Sequence, residues 1–162
     1  MNMPLYEILL VDDDPNDIEL AMMSFNRLNF AKQTLAVRDG DEALTSLNGW
    51  SENQQTQGLQ PRLVILDLKM PKVDGFEVLT AIRNTPLISR VPVVILSSSA
   101  MPSDIEKAYR LRCNAYVVKP VSHLEYQRTL ENLINFWCIC NQAPPHGLAA
   151  VKKNRLKIED SR

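Results

Sequence analysis

The sequence predicts an α/β domain with a doubly wound parallel sheet of five strands. Short runs rich in β-formers recur along the chain, and segments of helical periodicity stand between them, which is the pattern of βαβ crossovers. The runs are near-continuously apolar, as in Leu63-Val64-Ile65-Leu66, so both faces of those strands are expected to be covered. The length of 162 residues, with 45% hydrophobic and 23% charged residues, suits one soluble core.

In chain order the expected strands are Tyr6–Val11, Thr34–Arg38, Leu63–Leu66, Val91–Leu96 and Ala115–Val118. The first helix starts with Asp14 as N-cap, Pro15 at N1, where a missing N–H costs nothing, and Asp17 near the positive helix end. Its inward stripe reads Ile18, Ala21, Met22, Phe25 and Leu28, which leaves Leu20 and Met23 on the opposite side as a candidate docking face. The second helix is expected near Asp41–Leu47, the third near Phe76–Asn84 and the fourth from Pro102 to about Arg112. The fifth runs from Ser122 to about Cys140, and Ser122 with Glu125 forms a capping box at its start. On that helix Tyr126, Leu130, Leu133, Ile134 and Trp137 share an arc, while Thr129, Phe136, Ile139 and Cys140 fall outside it. Residues 48–61, rich in Gln, Asn, Ser and Gly, read as a polar insertion loop. Residues 141–162 hold five Lys/Arg against two acids, a charge of +3, and read as a basic, solvated appendage.

Composition removes several function classes. A net charge of −1 and a pI near 6.1 give no overall source for non-specific nucleic-acid affinity. No apolar run approaches the roughly 20 residues of a membrane helix, and no signal-peptide pattern opens the chain, so a cytoplasmic protein that touches neither nucleic acid nor membrane is expected. Three cysteines without C-x-x-C encode neither a disulfide framework nor a thiolate metal site. Two histidines and five glycines leave no convincing catalytic triad, and the glycine-rich nucleotide and hydrolase motifs are absent.

The chemistry lies at the carboxyl ends of the strands, where open parallel sheets bind ligands. Strand one ends in Asp12-Asp13-Asp14, strand three in Asp67, strand four in Ser97-Ser98-Ser99 and strand five in Lys119-Pro120. Carboxylates from two strands cannot share a dry crevice as like charges, and a hard divalent cation resolves the conflict. An all-oxygen ligand set favours Mg²⁺ over zinc. A helix N-terminus accounts for Asp14, but not for Asp67, which closes an apolar strand ahead of Met70-Pro71. An aspartate beside Mg²⁺, with a hydroxyl and an ammonium around it, is what phosphoryl transfer to a carboxylate requires.

Residues 5–140 resemble the response-regulator receiver domain of two-component signalling. The motifs are Leu10-Val11-Asp12-Asp13, Leu66-Asp67 followed by Met70-Pro71 and Asp74-Gly75, Ser97 five residues after Pro92, and Tyr116-Val117-Val118-Lys119-Pro120. The resemblance implies a flavodoxin-like topology with strand order 2-1-3-4-5, a receiver domain over 1–140 and a tail over 141–162. It implies Asp67 as phosphoacceptor, Asp12 and Asp13 as the acidic pair that positions Mg²⁺, and the backbone carbonyl of Lys69 as a further ligand. Ser97 looks like the residue that follows the phosphoryl group, Tyr116 the switch aromatic and Lys119 the cation of the site. A cis Lys119–Pro120 bond is also implied. Ser stands at 97 where Thr is commoner in the family, and Lys69 and Ser99 occupy positions that tune dephosphorylation.

Only 22 residues follow the receiver region, so a single-domain regulator acting through protein contact is expected. The resemblance implies a signalling phosphoprotein rather than an enzyme, with intrinsic autodephosphorylation. Its partners would be a sensor histidine kinase or phosphotransfer protein, and a second copy or downstream protein reached through the surface of helix four, strand five and helix five, extended by Phe136 and Ile139. The polar insertion and the Phe136-Trp137 pair are similar to single-domain receivers that partner bacterial phytochrome-type kinases. The competing readings are a Mg²⁺ phosphohydrolase with an aspartyl nucleophile, a flavodoxin-like nucleotide binder and a phosphorylation-independent adaptor. The first wants D-x-D, where Lys69 stands, and the acidic triplet would repel the phosphate of the second. The third predicts loss of a site residue, and none is lost.

Overall fold

The computed structural model describes residues 6–52 and 61–143. Strands β1 (Ile8–Val11), β2 (Thr34–Val37), β3 (Leu63–Leu66), β4 (Val93–Ser97) and β5 (Ala115–Val118) alternate with helices α1 (Pro15–Arg27), α2 (Gly40–Glu52), α3 (Gly75–Asn84), α4 (Pro102–Arg110) and α5 (His123–Ile134). The sheet is parallel throughout, in the order β2-β1-β3-β4-β5, as the resemblance implied.

Period-two alternation divides the strand side chains between two cores. Leu9, Val11, Val64, Leu66, Val93 and Ile95 point to the face covered by α2, α3 and α4, where Leu47, Val78, Leu79, Ile82 and Ala108 meet them. Ile8, Leu10, Leu63, Ile65, Val94 and Leu96 point the other way, against Ala21 and Phe25 of α1 and Tyr126, Leu130 and Ile134 of α5. All twelve strand residues are essentially sealed from solvent, which is why they read as uninterrupted apolar runs.

The ends of several elements differ from expectation. β1 begins at Ile8; Glu7 before it still bonds in register to the Gln33 carbonyl and the Arg62 N–H, and buried Tyr6 turns its hydroxyl to Ser46 Oγ at 2.7 Å. β4 begins after Pro92, which has no N–H to give to a ladder, and reaches Ser97. α2 runs to Glu52, five residues past Leu47 and two past Trp50, the next apolar position at helical spacing, so the start of the expected 48–61 loop is helical. Residues 53–60 and the tail beyond 143 lie outside the described residues.

Asp14 caps α1 as expected, accepting from the Asn16 N–H at 2.8 Å, and Ser122 Oγ accepts the Glu125 N–H at 3.4 Å. Leu20 is half-buried against the second core, so Met23, at 53% exposed, is what the outer face of α1 offers. The last helix is not uniform: α5 passes at Ile134 into a π-helix, Asn135–Cys140, closed by the Asn141 N–H on Phe136 O at 2.7 Å. Its buried stripe is Tyr126, Leu130, Ile134 and Cys138, spaced by four, with Leu133 and Trp137 on the margin. Cys138 therefore joins the core, although the expected arc omitted it. Phe136 and Ile139 face out, and the Phe136 ring meets Trp137 edge-on at 5.0 Å.

Arg83, on α3, ties the α3–β4 and α4–β5 loops together without a carboxylate. Its guanidinium donates to the carbonyls of Arg112, Ser89 and Val91 and to Asn114 Oδ1, all between 2.8 and 3.0 Å, and Asn114 Oδ1 also receives the Val93 N–H. Arg83→Leu should destabilise the domain by about 2 kcal/mol in urea unfolding, since hydrogen bonds to a charged donor are among the stronger ones. Arg83→Lys should recover less than half of that, because a point charge cannot reproduce the planar fork. A loss below about 0.5 kcal/mol for Arg83→Leu would show that water replaces the fork.

Candidate functional site

Asp12, Asp13, Asp67, Ser97 and Lys119 stand at or just past the carboxyl ends of four strands, which deliver them to one crevice, while Tyr116 sits near the start of β5. Asp12 follows β1 and is 2% exposed, Asp67 follows β3 at 6%, Ser97 closes β4 fully buried, and Lys119 follows β5. Asp13 remains exposed beside Asp12. Carboxylate oxygens of Asp12, Asp13 and Asp67 lie within 4.8 Å of one another.

Lys119 joins the set. Its Nζ donates to Asp12 Oδ2 at 2.7 Å, Asp17 Oδ2 at 2.8 Å and Asp67 Oδ2 at 3.1 Å. The Lys119 N–H is anchored on Ser97 O at 2.8 Å, which fixes where the side chain starts. The Lys119–Pro120 bond is trans, against the cis form the resemblance implied, and no cis bond occurs among the described residues. Trans is the intrinsically favoured isomer, and the ammonium reaches all three carboxylates from it.

Asp67 is held from its other side by backbone. Its Oδ1 accepts the Leu68 N–H at 2.7 Å and the Lys69 N–H at 3.4 Å. The loop behind it is tight because Gly75, which opens α3, has no side chain: a Cβ there would strike the Asp67 carbonyl and lie 2.8 Å from Leu68 Cα. Asp74 caps α3 through the Glu77 N–H at 2.9 Å and sets the helix against this loop.

Electrostatics match a site that wants a cation. Burial pushes the Asp12 carboxyl up to about 6, and the nearby Asp67 charge adds to the rise. Hydrogen bonds from Lys119 and the Asp14 N–H offset only part of it. Burial alone would lower the Lys119 ammonium, but its bonds to Asp12 and Asp17 and the attraction of Asp12 and Asp67 hold it well above its ordinary value. One ammonium against four carboxylates leaves excess negative charge, and the donors are oxygen alone, which fits a hard divalent ion such as Mg²⁺.

A second group flanks the first. Ser97 Oγ accepts the Ser99 N–H at 3.3 Å, Ser99 Oγ donates to Asp104 Oδ2 at 2.6 Å, and Tyr116 donates its hydroxyl to Ser99 O at 2.8 Å. Burial pushes the Tyr116 hydroxyl up, so it stays a donor. The Lys69 ammonium pairs with Asp104 at 3.2 Å instead of entering the crevice. Asp17 and Asp104 were not expected here. Asp17 was assigned to the helix dipole, yet its place on the first turn of α1 also brings it across to Lys119.

The pattern of the response regulator receiver domain matches residues 8–131. The chain belongs to that family. It is 37% identical over 137 residues to the "Probable methanogenesis regulatory protein FilR2" of Methanothrix harundinacea, covering 85% of this chain and 86% of that one. It is 32% identical over 130 residues to "Response regulator Rcp1" of Synechocystis, covering 80% and 87%. Among solved structures it is similar to the phosphorylated cyanobacterial phytochrome response regulator RcpA, with a TM-score of 0.77 and 33% identity over 87% of this chain and 99% of that one. The chain is thus a response-regulator receiver homologous to phytochrome response regulators, and its Asp12/Asp13/Asp67 pocket fits a phosphoacceptor and a Mg²⁺ site.

Proposed function

We propose that the Asp67 carboxylate accepts a phosphoryl group from a phosphohistidine of a sensor kinase, with Mg²⁺ held by Asp12, Asp13, Asp67 and the Lys69 carbonyl. The observation that carries this reading is the three-way grip of Lys119 on carboxylates from two strands and a helix, centred on a buried aspartate that no core needs. In the transfer an Asp67 oxygen attacks phosphorus, the P–N bond breaks, and the imidazole leaves and takes a proton. Mg²⁺ supplies neutralisation of the phosphoryl oxygens. Lys119 supplies a second positive charge, the Leu68 and Lys69 N–H groups orient the carboxylate, and Ser97 offers a hydroxyl to a phosphoryl oxygen. Later attack of water on phosphorus breaks the new P–O bond, releases phosphate and restores the carboxylate. The chain then acts as a cytoplasmic signalling receiver with intrinsic dephosphorylation.

Incubation with acetyl phosphate and Mg²⁺ should add one phosphoryl group, seen as a single mass increment that survives acid and is removed by hydroxylamine. A label resistant to hydroxylamine would place the phosphoryl on a hydroxyl and overturn the assignment. The similarity to RcpA, a phytochrome response regulator, supports a phytochrome-type kinase as donor.

Output is assigned to the surface of α4, β5 and α5. Drawing Ser97 toward the phosphoryl group would remodel the Ser99 segment that Tyr116 holds, and Tyr116 lies on β5 beside α4. Phe136 and Ile139, more than half exposed, extend this surface along the π-helix for a second copy or a downstream protein. Residues 1–140 form the receiver and 141–162 a basic appendage. Light scattering should show that Phe136→Glu lowers self-association, or loses the partner, with beryllofluoride bound. If neither changes, the helix-five surface is wrong while the phosphorylation site stands.

A further inference from the structure

Next to the site, α5 buries a tyrosine whose hydroxyl has no partner. Tyr126 is 3% exposed, and its ring packs in the core that α1 and α5 close over the sheet. Its hydroxyl oxygen is sealed from solvent and makes no hydrogen bond to any described residue. The hydroxyl lies within electrostatic reach of Asp12, Asp17, Lys119 and Asp67, and α5, which carries it, packs against α1, which carries Asp17. A buried unpaired hydroxyl is unfavourable, and phenylalanine would fill the same ring volume without it. A reason for the hydroxyl is therefore to be sought in another state of the site.

Donor counting identifies that state. A lysine ammonium has three N–H bonds, and Lys119 spends them on Asp12, Asp17 and Asp67. A phosphoryl group on Asp67 brings further acceptor oxygens, so the ammonium can bind one of them only by releasing a carboxylate. Asp12 keeps the Asp14 N–H, at 3.0 Å. Asp17 belongs to another element, is the most exposed of the three, and makes no other side-chain hydrogen bond that the fold provides in the way Asp12 does. We propose that Tyr126 is a positioning residue of phosphoryl transfer, whose O–H takes over Asp17 when Lys119 turns to the phosphoryl oxygens. The exchange keeps Asp17 satisfied and frees the ammonium, so the phosphorylated form gains a bond that the resting form lacks. The inference rests on Asp67 being the phosphoacceptor.

The test is Tyr126→Phe, read in two ways on the full chain. Urea unfolding without Mg²⁺ or beryllofluoride should show a resting protein as stable as native or more so, since the variant removes an unpaired group. Titration of beryllofluoride at saturating Mg²⁺ should show affinity weakened about tenfold, the scale of one hydrogen bond to a charged acceptor. In an Asp17→Ala background, Tyr126→Phe should then have no effect on beryllofluoride affinity. The proposal is overturned if the variant binds beryllofluoride as tightly as native, or if it is less stable at rest, which would mean that the hydroxyl is already partnered. A native protein that binds no beryllofluoride, with Mg²⁺ present, would overturn the phosphoacceptor reading itself and this inference with it.

Discussion

Asp67→Asn is expected to lower acetyl-phosphate labelling by roughly a thousandfold or more, because the substitution removes the attacking carboxylate while keeping its shape. The asparagine carbonyl can still accept the Leu68 N–H that Asp67 Oδ1 accepts at 2.7 Å, so the β3–α3 loop has no cause to move. The loss of one negative charge beside Asp12 removes a repulsion that now raises the Asp12 carboxyl. The metal-free variant should therefore unfold at the same urea concentration as native, or slightly higher. That pairing of outcomes separates chemistry from folding. Persistence of the label in Asp67→Asn would move the phosphoacceptor elsewhere, whereas a variant that loses label and fold together would say nothing specific to the nucleophile. A useful contrast is Gly75→Ala, which leaves the carboxylate in place but drives a methyl into the Asp67 carbonyl, so both label and stability should fall.

The parts of the fold that could be read from the chain are those where one physical requirement dominates. Leu63–Leu66 and Ala115–Val118 begin and end as expected, since a strand wedged between two helical layers needs apolar side chains on both faces or, at the edge, a polar residue to stop it. Asp14-Pro15 marks the start of α1 to the residue because cap and N1 preferences coincide. What was misread depends on long-range partners. Tyr6 lies outside β1 yet is buried, its hydroxyl bonded to Ser46 forty residues away. α2 continues past Leu47 through Asn48-Gly49, residues whose composition reads as loop, and the π-turn at Asn135 shifts which side of α5 faces the core, bringing Cys138 inside. At the site, Asp12, Asp13, Asp67, Ser97 and Lys119 were legible as strand-end residues. Asp17 was not, because a carboxylate on a first helical turn already has a local explanation in the helix dipole. Only its distance to Lys119 reveals the second role, and only burial reveals the stranded hydroxyl of Tyr126.

Removing Lys119 should produce the largest loss of stability, and one that acid reverses. In metal-free Lys119→Met at pH 7, Asp12 and Asp67 remain buried without their shared cation. Stripping one partner from a buried ion pair costs about 3 kcal/mol or somewhat more. The direction of the pH response follows from Asp12. Its folded carboxyl is raised to about 6, above the ordinary value of 3.8, so the folded state binds a proton more readily than the unfolded chain. Stability from this group is fully present below the unfolded value and is lost as pH rises through the folded one. Native metal-free protein should therefore gain about 1 kcal/mol between pH 7 and pH 5, the reverse of an ordinary salt-bridged aspartate. In Lys119→Met the hydrogen bond and attraction that restrain the Asp12 carboxyl are gone, so the same gain should be larger and begin at higher pH. Mg²⁺ should act in the opposite sense in the native protein, because it needs the carboxylate: below pH 6 its apparent affinity should weaken by up to about tenfold per pH unit. Urea unfolding at pH 5, 6 and 7, each with and without Mg²⁺, measures all of this. A native protein whose metal-free stability falls steadily on acidification over that range would show that Asp12 is an ordinary paired carboxylate, and that Lys119 already balances the negative charge of the cluster without a cation.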